Sequence, residues 1–474
     1  MRTARIADAR VVTPDGVVEG DVTYEVPRED RGGWHPAPLG GGDGSLGRPE
    51  VGRILEVGRC STRVDETYDA RGAWVVPGGI DAHVHFGGFG DIPIADDFYQ
   101  GSRAALAGGT TTVIDFVEPE GPETVRQALV RRLRDAATSA VDYAFRLVLT
   151  EDYERQLADV PLAEATGIHD FKLFTVYEGE TLSPDDLEAI FSRLGGDPRR
   201  TFLVHAEDPE QIGRLRAARG DTADFLDLAR TRPPEGEERM ARMLRDLVGR
   251  TGARVCMAHV TCAGTVALLD GPAPARGEFA LETCPHYLAF DESVLTGEDG
   301  WRYTMTPPLR SSEHVSALWD HLLSGSLPML STDHCPYASR FKRDATYQTV
   351  PCGVDGVGTR MAWAYGQAVV ARGMDMVRFV DVTSANAARF YGLWPRKGAI
   401  ATGSDADLAV IADESWEVRV HDMPDALDYS IWEGMPMAGR VVRTVCGGAL
   451  AFDGRRVLAC PGTGRLLDKT RMGD

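Results

Sequence analysis

Six side chains in this 474-residue sequence are of metal-binding type, and each ends or interrupts an apolar run. They are His83 and His85 in WVVPGGIDAHVH, Lys172 in HDFKLFTV, His205 in TFLVHAE, His259 in RVCMAHV and Asp333 in PMLSTDH. Neutral imidazole and carboxylate are ligands of Zn2+ and similar divalent ions. One H-x-H pair carries little information, and a lone histidine such as His286, His314 or His321 reads as a satisfied structural side chain. Four histidines at corresponding depths in different segments, with an aspartate at the last, point to a metal centre.

Lys172 is the most informative of the six. Of 51 cationic side chains only four are lysine, Lys172, Lys342, Lys397 and Lys469, and this one interrupts an apolar run where a buried charge is costly. A neutral lysine amine can combine with CO2 as a carbamate, which turns a cation into an anionic two-oxygen ligand able to bridge two metals. A guanidinium stays protonated and cannot do this. The structural alternative is a lysine snorkelling into solvent; the other five ligand types argue against it.

The elements that must position these groups are legible as well. From 74 to about 334, eight short apolar runs alternate with charge-patterned helical segments: WVVPGGIDAH, GGTTTVIDF, VDYAFRLVLT, HDFKLFTV, TFLVHAE, RVCMAHV, FALETCPHYL and PMLSTDH. Such alternation predicts parallel βα units, and eight of them close into an α/β barrel of (β/α)8 type with its active site at the C-terminal strand ends. Short β-rich segments open the chain (ARIADARVVT, GDVTYEV, GRILEVG) and close it (SDADLAVIAD, RVVRTVCGGALAFDGRRV), so both ends are expected to share one small β-domain. The Gly- and Pro-rich segment 31–50 reads as a mobile loop inserted in that domain.

Composition narrows the function. The 71 acidic residues outnumber the basic ones for a formal charge of -20, and no basic block stands out. Nucleic-acid and anionic-membrane binding are therefore not expected, and small-molecule chemistry is. The opening MRTARIADARVVTPDG lacks a signal-peptide core and no run of about 18 apolar residues occurs. Eight cysteines without a C-x-x-C pair suit reduced, inert thiols, and a soluble cytoplasmic protein is expected.

In order and spacing, PGGIDAHVHF, FKLFTVYEG, VHAED, AHVTCAG, TPPLR, STDHCPY and NAARFYGLWPRKGAIATGSDADLAVI resemble the dihydropyrimidinase and hydantoinase group of the amidohydrolase superfamily, over almost the whole chain. The resemblance implies a catalytic (β/α)8 barrel over 74–394 and a β-sandwich made from 1–73 and 395–474. It implies two divalent ions, usually zinc, bridged by carboxylated Lys172 and a hydroxide, with His83, His85 and Asp333 on one metal and His205 and His259 on the other. The substrate would be a small cyclic amide and the assembly a homotetramer, with a dimer as the alternative. Asp333 would shuttle the proton, and Tyr177 would donate to the developing oxyanion. The family grips the ring amides through main chain around SPPLR and PNG. Here TPPLR and PCG place Thr306 and Cys352 at the altered positions.

Two other readings stay open. Allantoinases and dihydroorotases share the ligand set, but dihydroorotases usually carry an arginine where this chain has Gly87, and Tyr177 favours the hydantoinase group. Non-catalytic relatives act as interaction proteins, but they have lost ligands that are all kept here. Gly90 and Asp91 on one substrate wall, and Glu178 and Thr181 on another, replace bulkier or apolar residues. A ring with a small, polar or cationic substituent, or none, is expected, and 5-aryl hydantoins are expected to be poor substrates.

Overall fold

The computed structural model describes residues 2–27, 50–88 and 92–469. Two eight-stranded sheets organise these residues. The first draws on both ends of the chain. It contains β1 (Arg2–Thr13), β2 (Gly16–Val26), β3 (Ile54–Gly58), β4 (Glu66–Asp69) and β5 (Trp74–Pro77) from one end. From the other come β14 (Leu408–Ala412), β17 (Arg440–Cys446) and β18 (Ala449–Phe452). The strand order is β18-β17-β14-β5-β1-β2-β3, with β4 also paired to β1. A register shift between Ile6 and Ala9, with Asp8 at φ 54°, interrupts the β1–β2 ladder, as a bulge does. This sheet encloses its own core of Ile6, Val11, Val22, Val75, Leu408 and Val410. A separate short pair, β15 (Trp416–Glu417) and β16 (Pro436–Met437), completes the strands. Of the segment 31–50, only Glu50 falls within the described residues.

The second sheet is the barrel. Its strands are β6 (Gly79–Asp81), β7 (Thr110–Val117), β8 (Asp142–Val148), β9 (Asp170–Phe174), β10 (Thr201–His205), β11 (Arg254–Met257), β12 (Glu278–Thr283) and β13 (Met329–Leu330). They pair in chain order and in parallel. The ring closes where Val84 bridges His334 and the His85 amide donates to the His334 carbonyl at 2.9 Å. Strands covered on both faces must be apolar throughout, and every residue of β7, β8, β9 and β10 is buried.

All eight expected runs are in the barrel, with one difference. WVVPGGIDAH was expected to open the barrel at 74, but it is two strands: 74–77 pair with β14 of the terminal sheet, and the barrel begins at Gly79. The crossing is at Gly78, where a Cβ would collide with the Thr111 side chain.

Helices between strands present one apolar face. Along Pro234–Thr251 the buried Met240, Ala241, Leu244, Leu247 and Val248 recur at helical spacing. Met240, Leu244, Leu247 and Val248 each contribute about 1.5–3 kcal/mol by leaving water. Inside the barrel one apolar cluster joins Ile80, Ile114, Ala144, Val148, Leu203, Cys256, Ala280 and Met329. The strand register sets Lys172 between Val148 and Leu203, so the lysine stands against this cluster.

Candidate metal centre and active site

All six ligand-type residues converge at the C-terminal end of the barrel. His83 and His85 follow β6, Lys172 lies within β9, His205 ends β10, His259 follows β11 and Asp333 follows β13. Asp81 fixes the first strand to the last, accepting from the Thr332 amide at 3.0 Å and its hydroxyl at 2.7 Å. The Asp333 carboxylate is then 3.0 Å from His85 Nε2 and 3.2 Å from His83 Nε2. Lys172 Nζ lies 3.5 Å from His83 Nε2. On the other side the His205 and His259 rings are 4.5 Å apart, and His259 stacks on His83 at 5.3 Å.

The His83, His205 and His259 imidazoles are held neutral, as ligands must be. Burial, aided by nearby Lys172, keeps His83 and His259 well below the usual histidine pKa, and burial lowers His205 as well. Burial also brings Lys172 down to about 8, against the pull of Asp333 and Glu282. Two carboxylates orient the rings: Glu282 is 2.7 Å from His83 Nδ1, and Glu207 is 2.8 Å from His205 Nε2. Such partners fix the tautomer and leave the opposite nitrogen as the donor to a metal. His259 Nδ1 is buried without a hydrogen-bond partner among the described residues. The donor set therefore fits divalent metal: neutral imidazoles, a carboxylate, an amine near neutrality and an orphaned nitrogen.

The backbone carries strain at the same place. Of five non-glycine residues with positive φ among those described, three are Tyr177 (97°), His259 (37°) and Asp333 (50°). Such conformations cost about 1–3 kcal/mol each and cluster at functional sites.

Tyr177, Thr306 and Cys352 line, with the six ligand-type residues, a cavity of about 410 Å3. The Tyr177 hydroxyl is 2.7 Å from Thr306 Oγ1, and burial raises its pKa, so the phenol keeps its proton. The chain entering TPPLR is tied to the PCG segment by Lys342, whose buried Nζ donates to the Thr304 carbonyl at 3.1 Å and the Gly353 carbonyl at 2.7 Å. The expected second wall is arranged differently. Glu178 is exposed and outside the cavity lining, Thr181 hydrogen-bonds the Tyr177 carbonyl at 2.6 Å, and it is Glu180 that lines the cavity, with Glu118. Gly90 and Asp91 lie outside the described residues.

His314 and His321 have the expected partners, the Ala263 amide at 3.0 Å and Ser326 at 2.8 Å. His286 does not: both its ring nitrogens are buried without a partner among the described residues. The sequence reading missed Glu282, Glu207, Arg232 and Lys342. Glu282 had a signal, as the acid inside the apolar strand FALET.

Comparison with known proteins agrees with this geometry. The model of the amidohydrolase family matches residues 74–451. D-phenylhydantoinase of Escherichia coli O1:K1 is 34% identical over 415 residues, 85% of this chain and 89% of that protein. A crystal structure of dihydropyrimidinase from Brevibacillus agri superposes with a TM-score of 0.85 at 27% identity over 98% of both chains. A crystal structure of D-hydantoinase gives 0.87 at 28% identity over 100% of both. The chain belongs to the amidohydrolase family, in its hydantoinase and dihydropyrimidinase group.

Proposed function

We propose that this protein is a metal-dependent hydrolase that opens a cyclic amide, a dihydropyrimidine, a hydantoin or a related ureide. The observation that carries this reading is the convergence of His83, His85, Lys172, His205, His259 and Asp333 in one cavity, with His83, His205 and His259 held neutral by burial. Carboxylated Lys172 would join two divalent ions, Zn2+ foremost, with His83, His85 and Asp333 on one and His205 and His259 on the other. Metals held there would acidify water and polarise the scissile carbonyl. Asp333 accepts a proton at its carboxylate as attack begins and returns it to the departing ring nitrogen. The C–N bond breaks, the carbon leaves as a carboxylate and the nitrogen as part of an open urea or amide. Tyr177 donates its retained hydroxyl hydrogen to the oxyanion, and main chain beside Thr306 and Cys352 grips the ring amides.

An arginine cannot easily replace Gly87, which has φ 80° and would set a Cβ 3.3 Å from Arg132 Nη1, so the carboxylate grip of dihydroorotases has no place there. A homotetramer and a cytoplasmic location extend the same reading. No helix of the described residues is long and apolar enough to cross a membrane. The test is an assay of metal-analysed protein against hydantoin, dihydrouracil, allantoin and dihydroorotate. Opening of hydantoin or dihydrouracil, lost on chelation, is expected; opening of allantoin or dihydroorotate alone contradicts the assignment.

A further inference from the structure

Two arginines enter the cavity from the side that follows β10. Arg232 is only 5% exposed, and its Nη1 donates to Glu207 at 2.6 Å. Its Nε is buried without a hydrogen-bond partner among the described residues. Arg216 comes from the helix Pro209–Arg219, in which only Ile212 is buried, yet its side chain turns inward to line the cavity. Its Nη2 reaches the Gln348 carbonyl at 3.3 Å, and its Nε is also buried without a partner. Among the described residues no carboxylate lies within 4.0 Å of Arg216, whereas Arg232 has Glu207. Other arginines have an orphaned Nε, but these are the two that line this cavity.

Both guanidinium groups line the cavity while their Nε atoms are shut off from water and unpaired, so each keeps an incompletely solvated charge at the wall, which an anion in the cavity would offset. Carboxylate is the group that a guanidinium fork matches best. The cavity also contains acids, but burial and repulsion from Glu180 raise the pKa of Glu118, and burial raises that of Glu180, so their negative charge is weakened. The arginines keep their positive charge.

We propose that Arg216 and Arg232 receive a carboxylate borne on the substituent of the ring, so that the preferred substrate is a cyclic ureide with a short acidic side chain. This rests on the cyclic-amide reading above and replaces the cationic option of the sequence expectation, which leaned on Asp91 and Glu178. Arg232 also holds Glu207 against His205, so Arg216 is the residue to vary.

The test compares hydantoin-5-acetic acid with its primary amide, which has the same shape without the charge. The wild-type enzyme should favour the acid in kcat/KM by about 10- to 100-fold, and Arg216→Gln should bring the ratio to within about 3-fold while Arg216→Lys keeps part of it. A purely structural role of Arg216 would lower both substrates alike and leave the ratio, and that result overturns the proposal. So does a wild-type enzyme that opens hydantoin but treats acid and amide equally; the hydrolase assignment then stands. If none of these rings opens, the hydrolase assignment fails, and calorimetric titration of the same two compounds decides the proposal alone. Tighter binding of the acid, lost in Arg216→Gln, supports it, and equal binding overturns it.

Discussion

Lys172 and Lys397 are both buried, and their surroundings are opposite. Lys397 Nζ is hydrogen-bonded to Asp142 and Asp407 and lies 3.3 Å from Asp405. Burial opposes its charge, but the three aspartates outweigh it and its pKa is raised. Lys172 has His83 at 3.5 Å and the rings of Phe174 and Phe116 at 4.8 and 5.4 Å, with no carboxylate within 4.0 Å among the described residues. Its pKa falls to about 8, burial being the main cause. Each lysine stands beside a group of side chains able to hold a metal: Asp142, Asp407 and Cys446 in one region, His83, His85 and Asp333 in the other. In the first the ammonium of Lys397 already fills the cation's place. In the second, among the described residues no lysine or arginine lies within 4.0 Å of Asp333, and burial lowers rather than raises the pKa of Lys172. Ligand-type residues in a cluster are thus not enough to define a metal centre; what matters is whether the fold has already supplied the countercharge.

The comparison can be broken most sharply through chemistry. Asp333→Asn removes the proton acceptor and should lower kcat by about 1000-fold, with Tyr177→Phe costing about 100-fold in kcat through the lost oxyanion donor. If Tyr177→Phe changes only KM, the tyrosine binds ground and transition states alike and its assigned role fails. At the structural lysine, Lys397→Met removes the cation from buried Asp407, while Asp142 keeps Arg465 and Asp405 keeps Arg53, Arg396 and Arg465, and it should destabilise the fold by about 3–5 kcal/mol. Thermal or denaturant unfolding reads that loss, and metal content per folded chain should be unchanged. A variant that kept its stability and lost its metal would merge the two regions into one function.

Glu282→Gln sharpens the picture at the centre itself. Weakening the partner of His83 Nδ1 should cost about 10- to 100-fold in metal affinity, measured by competition with a chelator. The smallest effect concerns substrate shape. Four charged side chains, Glu118, Glu180, Arg216 and Arg232, interrupt the apolar lining that Phe116, Leu228, Tyr347 and Val350 supply, and a phenyl ring meets them. The kcat/KM for 5-phenylhydantoin is expected to be about tenfold below that for hydantoin; a clear preference for the phenyl compound contradicts this.

The six ligand-type residues and the eight barrel strands were legible because each rests on local information. An apolar run of the right length marks a strand buried on both faces, and a histidine or aspartate at its end marks the catalytic rim. Partnerships across the barrel left no such trace. Glu282 meets His83 across 199 residues of sequence, and Lys342 joins Thr304 to Gly353 only because two loops fold over one another. Nor could spacing tell Glu178 from Glu180. Tyr177 adopts φ 97°, and the turn that follows carries Glu178 outward and Glu180 in. The division of WVVPGGIDAH between two sheets was hidden for a similar reason, since Gly78 is required by Thr111, a residue on a different strand.

Metal stoichiometry of the wild-type protein and Lys172→Arg, each purified with excess Zn2+ and bicarbonate, bears most directly on why a lysine without a countercharge lies in this barrel. Two ions per wild-type chain and almost none in Lys172→Arg are predicted, because a guanidinium keeps its charge and cannot form the bridging carbamate. Two ions retained by Lys172→Arg, with near-normal turnover, would contradict it.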